Sequence, residues 1–128
     1  MYSEFFSPQD WSQQTYAHVR KDFLSKQQQC QNLAFVTSKS YVHPLQSPSQ
    51  EPLSTDVFWL GPRDSSQVVV LISGTHGIEG YTGSAIQRFI LSMLCKKELS
   101  LPADTALLFI HALNPSGWHG TDDVTSKA

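Results

Sequence analysis

The spacing of apolar residues along the chain changes period several times, and each change marks a predicted element. Trp11, Tyr16, Val19, Phe23 and Leu24 recur at helical spacing among polar neighbours, which predicts a helix from Gln9 to Gln29. Ser7 stands as its N-cap, Pro8 at its first position and Asp10 in its first turn, the arrangement that satisfies free N–H groups at a helix start. Gln27, Gln28 and Gln29 are its solvated end. From Ser38 to Thr55 the chain is rich in Ser, Pro and Gln, with Pro44, Pro48 and Pro52. Such a stretch reads as an extended loop, preceded by a short strand at Ala34 to Val36.

Strand periodicity takes over at Asp56-Val57-Phe58-Trp59-Leu60, closed by the turn Gly61-Pro62-Arg63-Asp64. Val68 to Ile72 is an unbroken β-branched and aliphatic run, the pattern of a parallel strand buried between helices on both sheet faces. Ser84 to Cys95 then carries Ala85, Ile86, Phe89, Ile90, Met93 and Leu94 as a wide apolar stripe, with Gln87, Arg88 and Ser92 opposite. Lys96 and Lys97 suit the negative end of that helix. Ala106 to Ile110 is a second buried strand. Strand, helix and strand of these lengths form a βαβ unit and place the chain in the α/β class. After Asn114-Pro115 no periodicity is left, so no further element is expected.

The 128 residues include 9 Lys and Arg against 11 Asp and Glu, a formal net charge of −2. That length bounds the chain to one domain, and 40% hydrophobic residues suffice for a core. Without a cluster of basic residues the chain lacks the footprint that phosphate backbones or anionic lipids demand, so no nucleic acid and no membrane are expected as partners. The longest apolar runs, Val68 to Ile72 and Ala106 to Ile110, are far below the ~20 residues that span a bilayer. Met1 to Asp10 holds Glu4 and Asp10 and no basic start followed by an apolar stretch, which does not read as a signal peptide and predicts a cytoplasmic protein. Cys30 and Cys95 lie in different segments without CxxC spacing, and read as buried or idle thiols, neither a disulfide framework nor a thiolate metal site.

Chemistry concentrates in Ser73-Gly74-Thr75-His76-Gly77-Ile78-Glu79-Gly80-Tyr81-Thr82-Gly83, at the C-terminal end of a strand, where α/β sheets bind ligands. Glycine permits positive φ and close backbone approach, so the loop must be shaped tightly around something. Helix-on-sheet packing accounts for Gly80 and Gly83 but not for His76 and Glu79. These two form H-x-x-E, whose Cβ atoms lie ~5–6 Å apart on a helical turn. An imidazole and a carboxylate so placed can share Zn²⁺ at ~2.0–2.2 Å, the alternative being an ordinary hydrogen-bonded pair. A Walker loop would need a lysine after Gly83, a dinucleotide fingerprint would need G-x-G, and a serine hydrolase would need G-x-S-x-G; none occurs.

Val69 to Gln87, VVLISGTHGIEGYTGSAIQ, followed by His111-Ala112-Leu113-Asn114-Pro115, closely resembles a mostly bacterial, zinc-carboxypeptidase-like family. That family is related to the succinylglutamate desuccinylase and aspartoacylase enzymes. Tyr16, Arg20 and Phe23 of the first helix and the approach to Thr55-Asp56 share in the resemblance, which runs from Tyr16 to Trp118. It implies the N-terminal portion of an α/β/α sandwich, with zinc at the strand ends. His76 and Glu79 would be the first two ligands, and the substrates peptides or N-acyl amino acids cleaved near a free carboxylate. The metal of such enzymes polarises the scissile carbonyl and activates water, and a later glutamate shuttles the proton.

The chain also departs from that pattern. After Gly117-Trp118 the arginine and Asp-x-Asn-Arg stretch that would hold a substrate carboxylate is replaced by HGTDDVTSKA. The third ligand and the glutamate base are missing too. His111 and His119 are the nearby candidates for a substitute ligand. A histidine hydrogen-bonded at the sheet edge is the simpler reading of His111, and an exposed tail residue that of His119. Glu98, Asp104, Asp122 and Asp123 read as solvated carboxylates without a role. The expectation is therefore a partial zinc-carboxypeptidase-like domain over residues 1–118 and an unstructured, divergent tail over 119–128. It carries half of a metal site, binds zinc weakly or not at all, lacks catalytic residues of its own and is inactive alone. Self-association through an exposed sheet edge accompanies it. The alternative is a non-catalytic binding or regulatory module that uses the strand-end crevice or the sheet edge.

Overall fold

The computed structural model of the protein describes residues 15–33, 36–76 and 79–119. Helix α1 spans Tyr16–Gln29, capped by Thr15, which is extended (φ −111°, ψ 163°) and accepts a hydrogen bond from the His18 amide through its hydroxyl. The helix thus begins at Tyr16 rather than Gln9, and the predicted start at Ser7 and Pro8 lies outside the described residues. Tyr16, Val19, Phe23 and Gln27 form its buried stripe. A short 3₁₀ turn, Cys30–Asn32, follows.

The segment expected to be a loop is a β-hairpin. Strand β1, Val36–Gln46, pairs antiparallel with β2, Pro52–Leu60, so that Val36 faces Leu60 and Val42 faces Ser54. Its residues are almost all solvent-facing, so no apolar alternation betrays it in the sequence. Pro44 is tolerated because the ladder is interrupted between Val42 and Gln46, where a missing N–H costs no pairing. The Ser47 amide donates to the Glu51 carbonyl (3.0 Å), and the Ser47 hydroxyl accepts from the Glu51 amide (2.9 Å), which closes the turn.

Strand β3, Gln67–Ile72, leads through helix α2, Gly80–Cys95, to strand β4, Thr105–His111, and β3 and β4 are parallel. The sheet order is β1-β2-β4-β3, with β4 antiparallel to β2. A 3₁₀ turn, Pro115–His119, ends the described chain, in place of the featureless stretch expected after Asn114-Pro115. The protein is α/β with a mixed sheet.

Both helices cover the same sheet face. Phe23 of α1 and Leu91 and Leu94 of α2 pack with Phe58 and Leu60 of β2 and Leu107 and Phe109 of β4. A second cluster, Tyr16, Val19, Leu53, Ala112 and Trp118, fills the space under the C-terminal ends of β3 and β4. The described residues therefore form two layers of the expected three. On the opposite face lie Val57, Trp59, Leu108 and Ile110, paired in register with each other and with Val70 and Ile72.

Two expectations are corrected here. Strand β3 is not buried: it stands at the edge of the described sheet, and Val68, Val69, Val70 and Ile72 are 42–50% exposed. A run of β-branched residues specifies a strand; what covers that strand depends on neighbours. Nor are the cysteines idle thiols, because Cys30 and Cys95 form a disulfide with Cα atoms 5.1 Å apart. It ties the turn after α1 to the last residue of α2, and the 65-residue separation hid it from any reading of local spacing.

Candidate metal centre

The end of β3 stays zipped to the end of β4 beyond the strands themselves. The Ser73 amide donates to the Ile110 carbonyl (3.0 Å), the Leu113 amide to the Ser73 carbonyl (2.8 Å) and the Asn114 amide to the Gly74 carbonyl (2.8 Å). The Ser73 hydroxyl accepts from the Ala112 amide at 3.1 Å. Gly74 then turns the chain out with φ +73°, a left-handed conformation that an L side chain adopts at a cost. Thr75 and His76 emerge exposed.

Glu79 occupies the cap position of α2, with φ −60° and ψ −17°, and its side chain caps no amide. A carboxylate at a helix N-terminus faces the positive end of the helix dipole. His76 and Glu79 are both exposed and neither makes a hydrogen bond or ion pair with a described residue. An imidazole nitrogen and a carboxylate oxygen, uncommitted and at one strand end, are of the right chemistry for Zn²⁺. They are two donors where a catalytic site needs three protein ligands and an open position. Among the described residues no group of three His, Cys, Asp or Glu could hold a metal ion.

Helix-on-sheet packing, expected at Gly80 and Gly83, holds for Gly83, whereas Gly74 and Gly80 have a structural cause that the sequence did not disclose. A Cβ on Gly80 would stand 2.3 Å from Cε2 of Trp118, and one on Gly74 would stand 2.5 Å from its Nε1. A Cβ on Gly83 would meet Ser73 Cβ at 3.0 Å. The object around which the loop is shaped is Trp118, only 2% exposed.

His111 is not at a sheet edge, since β4 runs between β2 and β3. It is fully buried, with Nε2 2.8 Å from the Ser84 hydroxyl and its ring stacked on Phe23 at 4.3 Å. Burial pushes its pKa down to about 3; the Asp56 carboxylate opposes that shift, and Arg88 and Arg20 add to it. It is committed to the core and does not reach the loop as a substitute ligand. The side chain of His119 lies outside the described set, as do Asp122 and Asp123. Asp104 is not simply solvated: it accepts hydrogen bonds from the amide and hydroxyl of Ser66.

A partly buried electrostatic frame ties α1 to β2 and to α2. Arg20 makes a bidentate pair with Asp56, Nε to Oδ2 at 2.8 Å and one terminal nitrogen to Oδ1 at 3.0 Å, and the Ser40 hydroxyl donates to the same carboxylate at 2.5 Å. Asp22 accepts from Lys26 and from Arg88, both at 2.9 Å. Burial alone would raise the Asp22 pKa, but those two hydrogen bonds hold it below the usual carboxylate value. Tyr16 donates to the Ser54 carbonyl (2.6 Å) and accepts from the Ser54 amide (2.8 Å), with burial raising its pKa.

An α/β chain whose glycine-rich strand-end loop presents an uncommitted histidine and glutamate is the class that fold and site define. The chain belongs to the family described as protein of unknown function DUF2817, whose profile matches residues 12–126. Among solved structures it is similar to a glutaminyl cyclase from Fimbriiglobus ruber, at 12% identity and a TM-score of 0.39, over 72% of this chain. This chain spans about a third, 34%, of that one. No curated protein matches it.

Proposed function

We propose that this chain contributes His76 and Glu79 to the zinc centre of a hydrolase resembling the zinc carboxypeptidases and N-acyl amino-acid deacylases. The observation that carries the reading is the pair itself: two metal-donor side chains, exposed and uncommitted, at a strand end. Zinc bound there would polarise a substrate carbonyl and activate water. The part of this chain is to hold an imidazole and a carboxylate at a fixed separation on an open crevice. A third ligand and a general base are needed to complete the chemistry, and no described residue takes either part. Substrates with an amide bond near a free carboxylate fit the reading.

The test is zinc binding to the 128-residue chain, wild type against His76→Ala and Glu79→Ala. Wild type is expected to bind zinc weakly, with well under one ion per chain after dialysis. Each substitution should weaken binding at least tenfold, and no hydrolysis of peptides or N-acyl amino acids should be seen. Equal affinity of wild type and His76→Ala would overturn the metal reading.

A second reading, a binding module that uses its sheet edge, is favoured by the exposure of β3. As to compartment, no helix among the described residues is long and apolar enough to cross a membrane. The Cys30–Cys95 disulfide speaks for an oxidising environment against the cytoplasm expected from the N-terminus, since cytosolic disulfides are rare. Thiol labelling of the protein taken directly from cells decides between them.

A further inference from the structure

We propose that Trp118 is the positioning residue of this centre: a single indole wedged between Gly74 and Gly80 sets the separation of His76 and Glu79. The metal role of that pair is the reading given above, on which this inference rests. Gly74 precedes His76 by two residues and Gly80 follows Glu79 directly, so one ring grips the chain on both sides of the two donors. The grip is tight at both points. The indole Nε1 lies where a Cβ of Gly74 would be 2.5 Å away, and Cε2, Nε1 and Cζ2 lie 2.3–2.6 Å from where a Cβ of Gly80 would be.

The ring is itself immobilised from three elements. It meets Tyr16 of α1 edge-on at 5.6 Å, Tyr81 of α2 at 4.8 Å and His111 of β4 at 5.6 Å. Tyr16 is fixed in turn by its two hydrogen bonds to the Ser54 backbone. The turn that carries Trp118 is tied to the loop by the bond from the Asn114 amide to the Gly74 carbonyl, and closed by the Gly117 amide on the Asn114 carbonyl. A core tryptophan ordinarily packs against apolar side chains and hydrogen-bonds its Nε1–H. This one is met by two glycines, at the two points where the donor-bearing loop leaves the sheet and enters the helix. Two ligands of one ion must hold their geometry to within about 0.5 Å, which a ring gripping both sides of the pair supplies.

The test combines amide hydrogen exchange with zinc affinity in the whole chain, for wild type, Trp118→Phe, Gly80→Ala, the double variant and His76→Ala. Phenylalanine vacates part of the space beside Gly80. Trp118→Phe is therefore expected to speed exchange at the Ser73, Leu113 and Asn114 amides, which hold the loop to the end of β4, at least tenfold, with β2 and β4 unchanged, and to weaken zinc at least tenfold. Gly80→Ala alone should do the same by pushing the ring away, whereas in the double variant the added methyl fills the vacated space and restores slow exchange. Unchanged exchange at these residues in Trp118→Phe, additive losses in the double variant, or faster exchange only together with β2 and β4 overturns the proposal. If Trp118→Phe does not fold, Gly80→Ala alone decides by the same local exchange. Zinc binding untouched by His76→Ala refutes the metal reading, while the exchange pattern still decides the role of Trp118.

Discussion

His111 illustrates how one residue can acquire a part that its position in the sequence does not suggest. Buried against Phe23 and bonded to Ser84, it is held neutral, with its pKa near 3 against an ordinary value of 6.5. The charged groups around it come from three elements: Asp56 on β2 favours protonation, and Arg20 on α1 and Arg88 on α2 oppose it. Unfolding exposes the imidazole, so below pH 6.5 the unfolded state takes up a proton that the folded state refuses. Stability from this residue is complete above pH 6.5 and is lost as pH falls toward 3, at up to about 1.4 kcal/mol per pH unit. Urea midpoints should drop between pH 7 and pH 5, and His111→Gln should flatten that slope while lowering stability at pH 7. A wild-type midpoint equal at both pH values would refute this. The Asp22 shift operates in a lower window, below the usual carboxylate pKa, because its folded pKa is lowered.

At the scale of elements, the disulfide has the largest predicted consequence. Cys30 and Cys95 are 65 residues apart in sequence, and closing a loop of that length restricts the unfolded chain by about 4 kcal/mol in the chain-entropy account. Domains are stable by only ~5–15 kcal/mol in total. Reduction with dithiothreitol, or the double change of both cysteines to serine, should lower the melting temperature by more than 10 °C; a shift under 3 °C would show that the bond restrains little. The elements differ in how legible they were. Strand β4 and most of β2 show in the sequence because each leaves an apolar trace of what it buries; α2 shows as a helix, but its buried face is corrected, since Gln87, Arg88 and Ser92, expected opposite the apolar stripe, are buried while Ile86 is 45% exposed. Strand β1 does not show, because an edge strand with solvent on its residues has no reason to alternate, and Pro44 sits where its ladder is broken. The candidate pair His76 and Glu79 was legible because H-x-x-E among glycines after a strand is a local pattern. Trp118 was not, since the glycines answer to a side chain some forty residues away.

The molecule as a whole has one covered sheet face and one that is not covered by the described helices. Strand β3 holds no charged residue and no proline, and its edge N–H and C=O groups have no strand beside them among the described residues. Such an edge recruits further strands. The isolated chain is expected to self-associate, with sedimentation showing growth from monomer between micromolar and tens of micromolar concentrations. Val70→Lys, on the uncovered face and about half exposed, should suppress that growth with less than about 1 kcal/mol effect on stability, as is usual for exposed sites. A wild type that stays monomeric across the range would remove this edge as an interface.

The division between what sequence determines here and what tertiary structure decides follows the range of the interactions. Helix stripes, β-branched runs and the strand-end loop with His76 and Glu79 are written locally, in spacings of two to four residues, and so the α/β class could be read from them. Long-range contacts decided the rest. They convert the polar stretch from Val36 into a hairpin, join Cys30 to Cys95, sink His111 beneath Ser84 and Phe23, and bring Trp118 between Gly74 and Gly80. Each of these depends on where an element packs, and packing is a property of the surfaces that several segments present together, which no single stretch of the chain carries.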